Sequence, residues 1–246
     1  IMLNEGDKKQ LKEKAITEEQ VERQIDNFKK GFPYMNIVKP AKIRDGIKAY
    51  EKEEEHCFVI QFDKNKDQFS LLKFVPASGA ATRMFKDLYA FYSDQAAAET
   101  RSLEGLKDRG YEEVYNFFNN LHRFAFYQDL KEELNKQGLD LEKLQQEGAY
   151  YTILTYFLDE GLEYGKLPKG LLAFHNYEDS MRTALEEHLV EAAHYAEAGG
   201  KAQLHFTVSP EHRKGFTSLL EKKQNSYEQG FNIAFKVDFS EQKPST

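Results

Sequence analysis

The chain contains one cysteine, Cys57, in 246 residues. An internal disulfide is therefore excluded, and nothing near Cys57 has the spacing of a zinc-ligand set. Long apolar runs are also missing. No segment approaches the roughly 20 apolar residues that a membrane-spanning helix needs, and the amino terminus carries no apolar stretch. Positive charge is not in excess: 34 Lys and Arg face 41 Asp and Glu, a net charge of -7, and the basic residues are dispersed. That argues against nucleic acid or an anionic membrane as the main partner. Together these absences predict a cytoplasmic protein.

Several familiar signatures are incomplete. A Walker loop lacks its Gly-Lys-Ser/Thr ending, and the dinucleotide fingerprint lacks all but one glycine, Gly79. Around Ser78 the glycines of a hydrolase nucleophile turn are replaced by Pro76 and Ala80. Asp63, Asn65 and Asp67 begin like a calcium loop, but Gln68 occupies the glycine position and Phe74 the terminal glutamate position.

With 40% hydrophobic and 30% charged residues, the chain can bury a substantial core. Thr17 and Gln20 have capping-box spacing ahead of Val21, Ile25 and Phe28, which predicts a helix that Gly31 and Pro33 stop. The apolar runs 57–62 and 69–75, joined by a charged turn, predict two strands. From Phe85 to about Gly165, aromatic and acidic residues at helical steps predict a block of helices. A long helix carries Met181, Leu185, Leu189, Ala192 and Ala196 on one face, with Gly199 and Gly200 ending it. A strand over 204–208, a helix over 210–221 and an alternating strand over 231–239 follow. This repetition implies an α/β, Rossmann-like fold with a mostly parallel sheet. The expected organisation is an amino-terminal helical region over 1–50 and an α/β domain over 51–246, with a helical insertion over about 85–166.

The segment FVPASGAATRMFK carries the chemistry most directly. It sets Ala77, Ser78, Gly79, Ala80 and Ala81 between a strand and a helix beginning near Thr82, so backbone N–H groups can approach an oxyanion closely. Arg83 adds a permanent cation suited to phosphate. A tight strand-to-helix crossover accounts for the same small residues equally well. Glu211 and His212 follow Pro210 at a strand-to-helix turn, where sheet ligands commonly bind. His188 and Glu191 have a helical spacing that a metal can use, although a solvated helix face is the commoner outcome. Phe117, Phe118, Phe124, Phe126 and Tyr127 fit core packing better than a ligand groove.

These motifs resemble those of sugar-1-phosphate nucleotidyltransferases, in which a small-residue loop ends Gly-Thr-Arg before Met or Leu, as in Ala77 to Met84, with Ala81 at the glycine. Pro168, Lys169 and Gly170 are similar to an element of the UDP-sugar pyrophosphorylase branch. So, in order, are Glu186 with Glu187, the turn Thr207 to Ser209, and Phe239, Gln242 and Pro244. The similarity covers 71–84 and 166–246. The whole chain also resembles the amino-terminal part of a longer bacterial family of unknown function, which implies that it stops short of a complete domain.

The resemblance implies a sheet of glycosyltransferase-A type and uridylyl or related nucleotidyl transfer to a sugar 1-phosphate. Arg83 and Lys169 would be catalytic, and Ala77 to Thr82 would hold the nucleoside triphosphate. Ser209, Glu211, His212 and Gln242 would face the sugar phosphate. Magnesium is implied as cofactor without an assignable ligand. The alternative is a non-catalytic nucleotide- or phosphosugar-binding module.

Overall fold

The computed structural model describes residues 3–94, 97–177 and 180–242. They fall into two compact units, 3–70 with Gln242, and 71–241.

In the first unit, α1 (Glu5–Glu13) opens with a reciprocal Asn4–Asp7 cap, and α2 (Glu18–Lys30) with the expected Thr17–Gln20 cap. Two short strands, β1 (Lys42–Ile43) and β2 (Gly46–Ile47), pair in parallel. Helix α3 (Lys52–Asn65) takes in the apolar run 57–62 that the sequence assigns to a strand. Its acidic first turn, Glu53 to Glu55, suits a helix start, and the Glu54 carboxylate accepts the Glu51 N–H at 3.1 Å. Periodicity in so short a run does not separate a strand from a helix, and these end signals decide.

The second unit starts with β3 (Lys73–Pro76), shorter than the expected 69–75. After a 3₁₀ turn over Thr82–Phe85 come α4 (Lys86–Ser93), α5 (Leu103–Asp108), α6 (Glu112–Asn119), α7 (Tyr127–Lys136), α8 (Leu141–Gln146) and α9 (Tyr150–Thr155), the last running into a π-helical turn. These helices form the predicted insertion around their own core, which includes Leu121, Leu130, Leu134, Ile153 and Phe157, all fully buried.

The chain returns through a 3₁₀ turn at Lys169–Leu171 into the antiparallel pair β4 (Ala173–Tyr177) and β5 (Ser180–Thr183). Helix α10 (Ala184–Tyr195) follows. Met181 therefore belongs to a strand, not to the expected helix, because the Thr183–Glu186 capping box sets the helix start. Gly199 and Gly200 form the turn between β6 (Glu197–Ala198) and β7 (Lys201–Val208) rather than the helix end. Helix α11 (Arg213–Phe231) and β8 (Ala234–Glu241) complete the unit.

β7 is the centre of the sheet, with β3 and β8 parallel to it and β6 antiparallel. Its alternation is clean: Ala202, Leu204, Phe206 and Val208 are buried, while Gln203, His205 and Thr207 are only partly so. The buried face joins Leu185 and Leu189 of α10 and Phe216 of α11 in a second core. The fold is thus mixed α/β with a largely parallel sheet, as expected.

Two glycines show how the insertion is fixed. Gly110 and Gly148 both have positive φ, at 83° and 66°, but a Cβ on Gly148 would lie 2.1 Å from the Arg101 carbonyl oxygen, whereas nothing lies near one on Gly110. Gly110→Ala should cost only backbone strain, about 1 kcal/mol, and Gly148→Ala about 3 kcal/mol or more. Urea unfolding of the two variants checks this, and equal losses would refute the close packing of Gly148 on Arg101.

Candidate functional site

β3 leaves the carboxyl edge of the sheet at Pro76, the edge where parallel sheets ordinarily bind ligands. The Ala77 N–H extends the ladder by donating to the Thr207 carbonyl at 2.8 Å. That amide is spent in the sheet, so Ala77 cannot serve an anion through it. Two residues on, the Gly79 carbonyl accepts the Lys169 N–H at 3.1 Å, and Ala80 pairs with Pro168 in an isolated antiparallel bridge. The small-residue loop and the Pro168–Gly170 element, far apart in sequence, are thereby neighbours.

Side-chain size explains the approach. A Cβ on Gly170 would meet the Phe216 ring at 2.6 Å, so only glycine lets this arm settle against α11. Around Gly79, nothing lies within 4 Å of an added Cβ. Ala81 has φ -82° and is fully buried in the helical core. Its backbone makes no demand for glycine, and its methyl faces the protein interior instead of a ligand. Thr82 and Arg83 are exposed on the 3₁₀ turn, and α4 starts only at Lys86, not near Thr82. Ser78 completes the loop at the strand end.

A cavity of about 130 Å³ opens between these elements, lined by Ala77, Gly79, Lys169, Gly170 and His188 over the apolar side chains of Leu185 and Phe206. Arg83 does not line it. Arg83 and Lys169 are both exposed, and neither makes an ion pair among the described residues.

His188 is the residue whose place the sequence reading missed. Its Nδ1 lies 2.9 Å from Glu191 Oε2, and the same oxygen accepts from Lys73 Nζ at 2.6 Å. Lys73 also bonds the Tyr195 hydroxyl. The spacing of His188 and Glu191 was visible in the sequence, but Lys73 comes from β3 and no local pattern announces it. The Lys73 hydrogen bond, helped by His188, holds the Glu191 carboxyl down at about 2. Burial works against the charge on Lys73, yet Glu191 and Tyr195 keep its pKa above the ordinary value.

The acidic pair is divided between structural tasks. Glu186, 3% exposed, accepts the Thr183 N–H at 2.9 Å and lies 3.1 Å from Lys223. Burial pushes its carboxyl up, but the Thr183 amide and Lys223 outweigh this and hold it below the usual range. Glu187 accepts from the Tyr177 hydroxyl at 2.8 Å. Ser209, Glu211 and His212 lie beyond β7, the neighbour of β3 on the same edge, but none lines the cavity. The Glu211 carboxyl is lowered by its own backbone N–H and by the Ser209 hydroxyl. Gln242 follows β8 and groups with the 3–70 unit, and Pro244 lies outside the described residues.

A family model matches residues 4–246. The chain belongs to the family described as a domain of unknown function, DUF4301. No curated protein and no solved structure matches it. Among the described residues, this DUF4301 chain has no group of three or more His, Cys, Asp or Glu side chains that could hold a metal ion. No described helix is long and apolar enough to cross a membrane.

The Glu191 network gives a signed pH dependence. Because the folded carboxyl titrates at about 2 and the ordinary value is 4.5, its stabilisation is complete above 4.5 and is lost as pH falls toward 2. The Glu191 side chain keeps 44% exposure, so solvent screening reduces the contribution to about 1 kcal/mol. Unfolding free energy measured from pH 5 to pH 2 should fall less steeply in Glu191→Gln than in the parent, and identical slopes would remove the pair from the stability of the site.

Proposed function

We propose that this DUF4301 chain binds a nucleoside triphosphate by its phosphates at the loop 78–83 and Lys169, and transfers the nucleotidyl group, uridylyl in the first instance, to a sugar 1-phosphate. The observation that carries the reading is the Lys169 N–H bond to the Gly79 carbonyl, with the adjoining Ala80–Pro168 bridge. It sets together two elements that the resemblance pairs and that ordinary sequence neighbours would not. The open space around Gly79 also supports it, since no neighbouring side chain within the protein accounts for glycine there.

In such a transfer, a phosphate oxygen of the sugar phosphate attacks the α-phosphorus and pyrophosphate leaves, so negative charge must be held on both sides of the reacting atom. Arg83, exposed beyond the loop, would grip the departing β- and γ-phosphates. Lys169, beside Gly79, would hold the α-phosphate and the incoming sugar phosphate. His188 adds an imidazole whose Nδ1 is engaged by Glu191, which leaves Nε2 for the cavity. Its role would be to hold a phosphate oxygen by a hydrogen bond.

The described residues do not form a magnesium site. Glu191, the carboxylate joined to this network, is already tied to Lys73 and His188. Magnesium would come on the nucleotide's own phosphates, and the one or two carboxylates it ordinarily takes besides them are not supplied by this network. No step above runs through it.

A nucleotide- or phosphosugar-binding module without turnover is the second reading, favoured by the small size of the cavity, about 130 Å³. Calorimetric titration with UTP and then ATP, in magnesium, separates the readings when followed by an assay for pyrophosphate release with sugar 1-phosphates. Arg83→Ala and Lys169→Ala should each weaken triphosphate binding about tenfold, as expected for loss of a charge-assisted contact. Binding without pyrophosphate release would select the module, and folded protein that binds neither triphosphate would end both readings.

A further inference from the structure

A second cavity, of about 720 Å³, opens in the helical insertion. That volume suits a small-molecule site. Its walls continue both arms of the phosphate loop: Met84 directly follows Arg83, and Phe174 comes shortly after Lys169 and Gly170. Along the 3₁₀ turn and the start of α4, the rise from Thr82 to Leu88, another lining residue, is about 10 Å. This matches the reach of an extended nucleotide from its phosphates to its base.

The lining has the chemistry of a nucleoside site. Phe124 packs against Phe117 and Phe126, with centroids 5.4 and 5.1 Å away and interplanar angles of 28° and 8°, and those two rings also lie 6.2 Å from each other, so the three make one aromatic cluster. It keeps 36% exposure, which leaves part of its ring open to a planar ligand. On the rim, the Asn120 side chain is fixed, donating to the Asn116 carbonyl at 2.9 Å and accepting from Arg123 at 3.3 Å. Asp87 and Glu113 add carboxylates. Carboxylates repel phosphate but accept hydrogen bonds from sugar hydroxyls. With Arg123 as the cation beside these two carboxylates, the lining carries one negative charge in excess and suits an aromatic ring with hydroxyls attached better than a polyphosphate.

We propose that this groove holds the base and ribose of the nucleotide whose phosphates lie at the loop 78–83 and Lys169, an assignment that rests on the phosphate-site reading above. The experiment is calorimetric titration of the whole chain with UTP, ATP, inorganic pyrophosphate, uridine and adenosine, comparing the parent with Phe124→Ala and Arg83→Ala. Loss of the stacking ring should weaken the preferred triphosphate about tenfold and leave pyrophosphate unchanged, while Arg83→Ala weakens both. Should Phe124→Ala fail to fold, Asn116→Leu on the exposed rim carries the same comparison. If the groove variant leaves triphosphate binding unchanged while Arg83→Ala weakens it, the groove assignment is wrong and the phosphate site stands. Weakening of triphosphate and nucleoside by Phe124→Ala alone, with Arg83→Ala inert, keeps the groove and removes the phosphate site. No binding of any probe to the folded parent overturns both.

Discussion

The hydrogen bond from the Lys169 amide to the Gly79 carbonyl is the point on which the candidate site turns. The chain leaves the sheet at the loop after β3, builds the helical insertion, and comes back beside its own departure point. A backbone hydrogen bond contributes only about 1 kcal/mol net, too little to position a body of this size. Burial supplies the rest. Ala81 and Leu172, just inside the two ends of the excursion, are fully buried in the insertion's core. At the same junction, Gly170 and Phe216 pack the returning arm against the core under the sheet. Lys169, Gly79 and the cavity between them meet because two hydrophobic cores share this seam.

The same seam explains how charge is managed. The Lys73 side chain is 11% exposed, and an unpaired ammonium there would cost several kcal/mol. Glu191 offsets that cost and, by taking His188 Nδ1 as a second partner, fixes the orientation of the imidazole beside the cavity. Glu186 does comparable work at the start of α10, where it joins the helix cap to Lys223 of α11. Of the three acids on this helix, none is left as a simple solvated charge.

Local patterns made much of the fold legible. The cap at Thr17 rests on spacing within four residues, and the alternation through β7 and β8 on a period of two, so both survive without tertiary information. The spacing of Thr183 and Glu186 also marks a helix start, and it places Met181 outside the helix although the helical periodicity extends past it. The run 57–62 reads as a strand because β-branched and aromatic residues carry a strand preference, which the helix-start signals around Glu51 to Glu55 override. At the site, the small-residue loop is legible as a motif of its own, whereas Lys169 and its pairing with that loop come from the resemblance. His188 was not legible, since its position depends on Lys73 from another element. The spent amide of Ala77 and the buried methyl of Ala81 likewise follow from strand register and core packing, which residue type does not encode.

Setting β3 beside β7, with the whole helical insertion between them in the chain, also has a kinetic meaning. β7 and β8 are separated by a 3₁₀ turn at Pro210–His212 and by α11, so their pairing closes a comparatively short segment. The pairing of β3 with β7 requires a far longer loop to close, and parallel pairings at such separation reward the chain only after that entropy has been spent. Within this sheet the seam at Gly79 and Lys169 thus depends on the pairing with the larger closure cost, so the candidate site rests on a contact that local structure alone does not supply.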